Sequence, residues 1–355
     1  MVVARAGTPS GEAIVRALAD RPAGRVAVRA LGVAGGTVEP ELASERVAVV
    51  ADVDLAAPSV ADHLAGARAI VLVLAPDDLA AELAERDRRD RIATEVRTLV
   101  LAAAATSVDH LVLVTSAMVH GALPDNPVPL PDDAPRRAEA LVGLVGDLVA
   151  AEEALEGAAA LHPGLRTTIV RPATLVGGTD TIITRHVAAP RLLRLKDSAP
   201  AWQLCHVDDL GRAVAQVVDQ DLGPTVTVAC EGWLTQSELE EVSGLRTVEL
   251  SGAAAQGIAH RLHRVGSLPS PATDLDFVAH PWAVAAQLLR DAGWQPQHDN
   301  RECVELLLTD ARAHRMGTTR RFDRKDGAAI GAASAAVAIG ATAAIVRRRR
   351  KKGSA

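Results

Sequence analysis

Short uninterrupted runs of Val, Leu, Ile and Ala alternate with longer stretches of helical periodicity through the first two thirds of the chain. Ala69–Leu74 (AIVLVL) is apolar throughout, and His110–Val114 is mostly Leu and Val with no alternation of apolar and polar positions. Strands of that kind are covered on both faces, as in a parallel sheet. Val2–Ala4, Arg25–Leu31, Arg46–Ala51 and Thr167–Val170 predict further strands. Gly11–Ala19, Ser59–Ala65, Arg88–Thr106 and Arg136–Ala160 predict helices between them, the last carrying Leu141, Leu144, Leu148 and Leu155 on one stripe. Such alternation implies βαβ units, hence an α/β fold with a doubly wound, Rossmann-like parallel sheet.

After Gly178 the pattern loosens. Ala201–Val207 reads as a strand entering helix Leu210–Val218, with Asp208 or Asp209 as its N-cap. Thr235–Glu238 is a capping box that starts another helix, and Pro281–Ala292 and Arg301–Arg312 predict two more. The expected division is a nucleotide-binding domain over residues 1–225, with 176–200 on the substrate side. A small mixed substrate subdomain follows over 226–313, and then a basic-flanked tail over 314–355. Within the tail, Gly327–Val346 holds twenty uncharged residues, mostly Ala and Gly. As a helix it would be ~30 Å long, enough to cross a bilayer core. Its five Ile and Val contribute only about −2 kcal/mol to insertion. A transmembrane helix is one reading; an Ala-rich arm whose polybasic end meets anionic lipid is the other.

Composition narrows the chemistry. Aromatic residues are 2% of the chain and tyrosine is absent, so the core must be built from Ala, Val and Leu. The net charge is −6, and Arg347–Lys352 alone supplies six cations, so the body carries about −12. An acidic body argues against nucleic acid as the main partner. Cys205, Cys230 and Cys303 form no CxxC pair or disulfide framework, which points to a reduced compartment. The opening MVVARAG lacks the pattern of a signal peptide, so the body is expected on the cytoplasmic face, anchored by the tail. No histidine falls in a zinc spacing; His260 and His263 read as a solvated helix face, and no metal is expected. The four tryptophans read as packing.

Candidate chemistry gathers where strands should end. Thr115 and Ser116 follow the His110–Val114 strand, and ligands of open parallel sheets sit at the carboxyl ends of strands. They either touch a ligand or satisfy backbone groups at the strand end. Gly121, Pro124, Pro127, Pro129 and Pro131 predict a long mobile loop over that edge. The first βα turn, Arg5-Ala6-Gly7-Thr8-Pro9-Ser10-Gly11, is the position of a phosphate cradle, though it has only two glycines, spaced GxxxG.

Six segments extend this reading: Val47–Leu55 (VAVVADVDL), Ala69–Ala75 (AIVLVLA), Leu113–Gly121 (LVTSAMVHG), Thr168–Gly177 (TIVRPATLVG), His206–Leu210 (HVDDL) and Leu288–Leu306. Together, over roughly residues 1–310, they resemble the extended short-chain dehydrogenase/reductase group, the NAD-dependent epimerase/dehydratase family. The resemblance implies an NAD or NADP cofactor held near Gly7, Ser10, Gly11, Asp52, Val53, Ala75 and Pro172, with Ser116 at the catalytic Ser/Thr position. It also implies a sugar-nucleotide epimerase/dehydratase type of oxidoreduction.

The departures matter as much. The family's active site uses a YxxxK helix, in which the tyrosine exchanges a proton as hydride moves and the lysine lowers its pKa. The matching positions here lie near Val145 and Val149, and no tyrosine exists elsewhere to replace it. Arg5 and Thr8 stand where glycines are usual, and no acid near Leu31 awaits a ribose 2′-hydroxyl. Arg29 could favour a 2′-phosphate or simply face solvent. His120 replaces the tyrosine of the family's "VYG", either as an acid or base or as loop packing. His206 is expected to help fix the Asp caps. Cofactor affinity is therefore expected to be weak or lost. Two function classes stay open: a membrane-associated oxidoreductase or epimerase-like enzyme that uses NAD(P) with a non-standard proton donor in a degenerate site, or a non-catalytic relative that binds a nucleotide or partner as a sensor or scaffold at the membrane.

Overall fold

The structure, a computed structural model, describes residues 1–21, 27–33, 38–79, 87–138, 143–264 and 272–317. In chain order the first elements are β1 (Val2–Ala4), α1 (Pro9–Ala19), β2 (Val28–Val33), β3 (Val47–Val53), α2 (Val60–Leu64), β4 (Ala69–Val73), α3 (Arg88–Ala105), β5 (His110–Val114), α4 (Leu144–Ala159) and β6 (Arg166–Pro172). Then come β7 (Thr174–Val176), α5 (Ile182–Ala188), β8 (Leu192–Leu195), β9 (Leu204–His206), α6 (Val207–Gln220) and β10 (Thr225–Val228). The chain continues with α7 (Gln236–Ser243), β11 (Thr247–Leu250), α8 (Gly252–Arg264), α9 (Gln287–Asp291) and α10 (Asn300–Gly317).

Seven strands form one parallel sheet in the order β10-β6-β5-β4-β1-β2-β3, and the pairs β11–β8 and β7–β9 stand apart from it. The chain runs outward in both directions from β1, so the switch point lies between β1 and β4, where a doubly wound sheet opens its ligand crevice. The lack of alternation in the central strands has a direct cause. Val71 and Val73 enter the core under α1 and α6, while Ile70 and Leu72 enter the core under α3 and α4. Both faces are dry. Small residues let α1 and α6 close up: a Cβ on Gly211 would lie 2.5 Å from the Ala13 carbonyl oxygen.

Several expectations change. The helix read from Arg136 begins at Leu144, behind Gly143 at φ 82°. Upstream, the Arg137 and Ala138 amides both donate to the Val119 carbonyl, a fold-back that helical geometry forbids. The N-cap of α6 is His206, whose Nδ1 accepts from the Asp208 amide, not Asp208 or Asp209. The Pro281–Ala292 helix shrinks to α9, because Leu130 pairs with the Ala283 carbonyl and the Ala285 amide. That pairing also pins the proline-rich loop predicted to be mobile, and Asn126 bonds the Gly121 and Pro281 carbonyls from within it. Trp202, Trp282 and Trp294 are buried, but Trp233 is 39% exposed. The boundary drawn at residue 225 falls inside β10, which is the sheet's edge strand beside β6. The tail 327–346 lies outside the described residues; among those described, no helix is long and apolar enough to cross a membrane.

Candidate nucleotide cleft

The switch point is built from the turns that leave β1 and β4. Thr8 caps α1 by accepting from the Gly11 amide, and Pro9 fills the first helical position, where a missing N–H costs nothing. Gly11 brings the helix onto the turn: a Cβ there would sit 2.5 Å from the Arg5 carbonyl oxygen and 2.9 Å from Ala6 Cα. Arg5 adopts a left-handed φ of 62°, the conformation glycine supplies more easily. Its guanidinium turns towards α3 and pairs with Glu95 at 2.8 Å, where Glu95 also receives Arg91.

The exposed amides of a helix N-terminus attract an anion. Here the chain supplies one. Asp77 leaves β4 through Ala75 and Pro76, and its Oδ2 accepts from the Ser10 amide at 3.0 Å and the Ser10 hydroxyl at 2.5 Å. Only 3% of Asp77 is exposed. Burial raises its pKa above the ordinary carboxylate range, against the opposing pull of its hydrogen bonds with Ser10. The loop is then fastened on its far side. The Asp180 amide donates to the Asp77 carbonyl and the Leu79 amide to the Asp180 carbonyl, each at 2.8 Å, forming a short parallel bridge between residues 78 and 180. Arg185 holds the Asp180 carboxylate, and Thr181 closes a capping box with Thr184 at the start of α5. Gly178 packs beside Pro9, so the segment after β7 lies over the start of α1.

Further along the strand ends, Ser116 is 3% exposed and caps the turn Ala117–His120, its Oγ accepting from the Met118 amide. Ser116, Pro76, Pro172, Leu144, Ile182, Ile183 and Trp282 enclose a cavity of about 10 Å³, room for one water at most. The α4 side of this cavity is therefore a leucine. Thr115 turns away and donates to Glu152 Oε1 at 2.7 Å. Glu152 is fully buried and also receives Arg171 and Arg136. His120 is buried too. Its Nδ1 donates to the Pro135 carbonyl, and burial with the nearby Arg171 charge lowers its pKa, so the ring stays neutral. Asp209 pins the closing segment by accepting from the Gln297 and His298 amides and from His298 Nδ1. His206 stacks on the His298 ring at 4.0 Å.

The predicted site residues therefore separate into groups. Gly7, Ser10 and Gly11 sit at the first turn, Ala75 on the approach to Asp77, and Ser116 with Pro172 around the small cavity. Asp52 lies exposed on the edge strand β3 at φ 55°, and Val53 is buried in the core under α2 and α3. Asp77, Glu95 and Glu152 were not singled out from the sequence. For Asp77 a signal existed: Pro76-Asp77-Asp78 puts two acids directly after a wholly apolar strand that points at the crevice.

The NAD(P)H-binding family matches residues 7–221, well over half of the chain. This chain belongs to the NAD(P)H-binding family. Curated relatives are uncharacterized proteins of Mycobacterium tuberculosis and Mycobacterium bovis, 26% identical over 149 residues, 42% of this chain and 40% of each relative. The match thus spans less than half the length of those proteins. Among solved structures, the dTDP-glucose 4,6-dehydratase DesIV of Streptomyces venezuelae superposes with a TM-score of 0.63 at 17% identity, over 89% of this chain and 96% of that one. The UDP-Glc/GlcNAc 4-epimerase of Campylobacter jejuni gives 0.64 at 16% identity, over 88% and 98%. At these identities the likeness establishes a shared fold.

The cofactor of the NAD(P)H-binding family can be tested against the residues present. Among the described residues, the start of α1 has its Ser10 amide taken by a carboxyl group of the chain itself. A phosphate at that helix end would compete with Asp77 for the Ser10 amide, and the cavity at Ser116, about 10 Å³, is a separate space.

Proposed function

We propose that this chain is a non-catalytic member of the NAD(P)H-binding family, a scaffold or sensor on a sugar-nucleotide epimerase/dehydratase fold. One observation carries the reading: the α4 side of the Ser116 cavity is Leu144, in a chain with no tyrosine. Neither leucine nor the nearby Val145 and Val149 can exchange a proton with a substrate, a service worth roughly 10²–10⁴-fold in rate. The wholly buried His120 is no substitute, since its Nδ1 is held by Pro135 and its Nε2 is buried out of reach of solvent. In the same reading the polybasic Arg347–Lys352 segment gives the scaffold a contact with anionic membrane lipid on the cytoplasmic face.

The test is turnover. Full-length protein is incubated with UDP-glucose or dTDP-glucose and each of NAD⁺ and NADP⁺, following reduced cofactor by absorbance and sugar products by chromatography. Wild type and Ser116→Ala should both match the protein-free background. Turnover by wild type that Ser116→Ala abolishes would restore the oxidoreductase reading.

A further inference from the structure

The carboxylate at the start of α1 has a consequence for ligand binding that does not depend on whether the protein catalyses anything. We propose that Asp77, held by the residue 77–79 to Asp180 bridge, is an internal latch on the dinucleotide site. It occupies the position of a pyrophosphate at the α1 N-terminus, so that a pyrophosphate-bearing nucleotide and the closed loop exclude each other.

Three independent features support the latch. First, the ligand of the helix end is already present: Oδ2 of Asp77 takes both the amide and the hydroxyl of Ser10. A carboxylate and a phosphate compete for the same donors, because each satisfies N–H groups that have no partner within the helix. Second, the loop is not merely resting there. Asp180 receives and donates one backbone hydrogen bond across the crevice, and its carboxylate is anchored by Arg185 Nε at 2.6 Å. Leu79, at the end of the bridge, is 1% exposed and belongs to the main core. Third, the neighbouring turn is held by contacts within the chain. Arg5 spends its charge on Glu95 of α3, so it does not wait for a phosphate.

The two states differ by defined contacts. Closing the latch makes two hydrogen bonds to Ser10 and two backbone bonds at Asp180. Opening it frees the helix end for an anion and removes a like charge from beside that anion. A ligand can open the latch only by as much as it prefers the open state, so affinity in the wild type is reduced by the population of the open form.

The probes are NADH, NADPH and ADP-ribose, titrated calorimetrically into the full chain. Wild type should bind with dissociation constants at or above ~100 μM. Asp77→Ala removes the internal anion and should bind at least one of the three about tenfold or more tightly. Asp77→Asn keeps an acceptor for Ser10 but loses the competing charge, and should move the same way by a smaller factor; it also serves where Asp77→Ala fails to fold. A second measurement uses wild type alone. Amide hydrogen exchange at Leu79 and Asp180 should speed up when millimolar ligand is added. Low-micromolar binding by wild type overturns the latch. So does a folded Asp77 variant that binds no more tightly than wild type, or ligand binding that leaves those two amides protected. None of these readouts involves turnover, so a failure here is distinct from a failure of the non-catalytic reading.

Discussion

Arg171 and Glu152 meet inside the protein as a two-point ion pair, Nε to Oε1 at 3.1 Å and Nη2 to Oε2 at 2.7 Å, joining the end of β6 to the middle of α4. The carboxylate has no exposed surface and the guanidinium almost none. Bidentate geometry and the added Thr115 hydroxyl leave little of either charge unsatisfied. Arg171 directly precedes Pro172 on β6, and Thr115, which donates to Glu152, directly precedes Ser116, so the pair ties together the two strand ends that border the Ser116 cavity.

Breaking that pair on one side should be expensive. Glu152→Ala strands a buried guanidinium and the Thr115 hydroxyl, for a loss of about 3–5 kcal/mol. Urea unfolding followed by circular dichroism should show the midpoint falling with little change in slope. A loss under about 1 kcal/mol would mean that water or Arg136 rearrangement replaces the carboxylate.

The protein should weaken in mild acid. His110 and His186 are buried, and burial pulls each ring down to about 4 from its usual 6.5. Both are held neutral in the fold and take up protons on unfolding. Stability is then fully present above pH 6.5 and is lost as pH falls towards 4, by up to ~3 kcal/mol for each ring. His186 stacks flat on Trp202, 5.2 Å between ring centres, and among the described residues neither of its nitrogens has a hydrogen-bond partner. His186→Phe keeps the stack and removes the titration. Its melting temperature should depend less on pH between 6.5 and 4 than that of wild type; an unchanged slope would clear His186 of any role.

Gly11 should resist even one added carbon. The Cβ of Gly11→Ala would press on the backbone of Arg5 and Ala6, which cannot swing away as a side chain can. Overpacking of this kind costs about 1–3 kcal/mol. Gly66→Ala, at a turn where the built Cβ meets nothing within 4 Å but φ is +70°, isolates backbone strain alone. Thermal melts of the two variants separate the effects, and Gly11→Ala should be the more damaging.

The tail can be tested without reference to the fold. Full-length protein and a chain ending at residue 326 are fractionated, with high-salt and carbonate washes. A transmembrane anchor predicts that only the full chain pellets with membranes and survives both washes. Release by salt would mean that Arg347–Lys352 merely sits on anionic lipid.

Unbroken apolar runs and strand–helix alternation were enough to place the parallel sheet, because a strand covered on both faces has no polar position to spare. Val2–Ala4 and His110–Val114 appear as read, and the other central strands differ by a few residues at their ends. The HVDDL and RPATLVG segments likewise carried the family, since short-range chemistry at strand ends is written locally. The start of α4 was not legible. The stretch before it folds back on Val119, a contact made through space that overrides its helical pattern. Nor was the state of the cleft. Ser10 and Asp77 are 67 residues apart in the chain and become neighbours only because β1 and β4 lie side by side at the switch point. The sequence by itself determined which fold this chain adopts and that no tyrosine stands anywhere in it. Only the tertiary structure decided that an aspartate of its own sits where a nucleotide's phosphates would, because a buried helix end must take whichever anion the strand order brings to it.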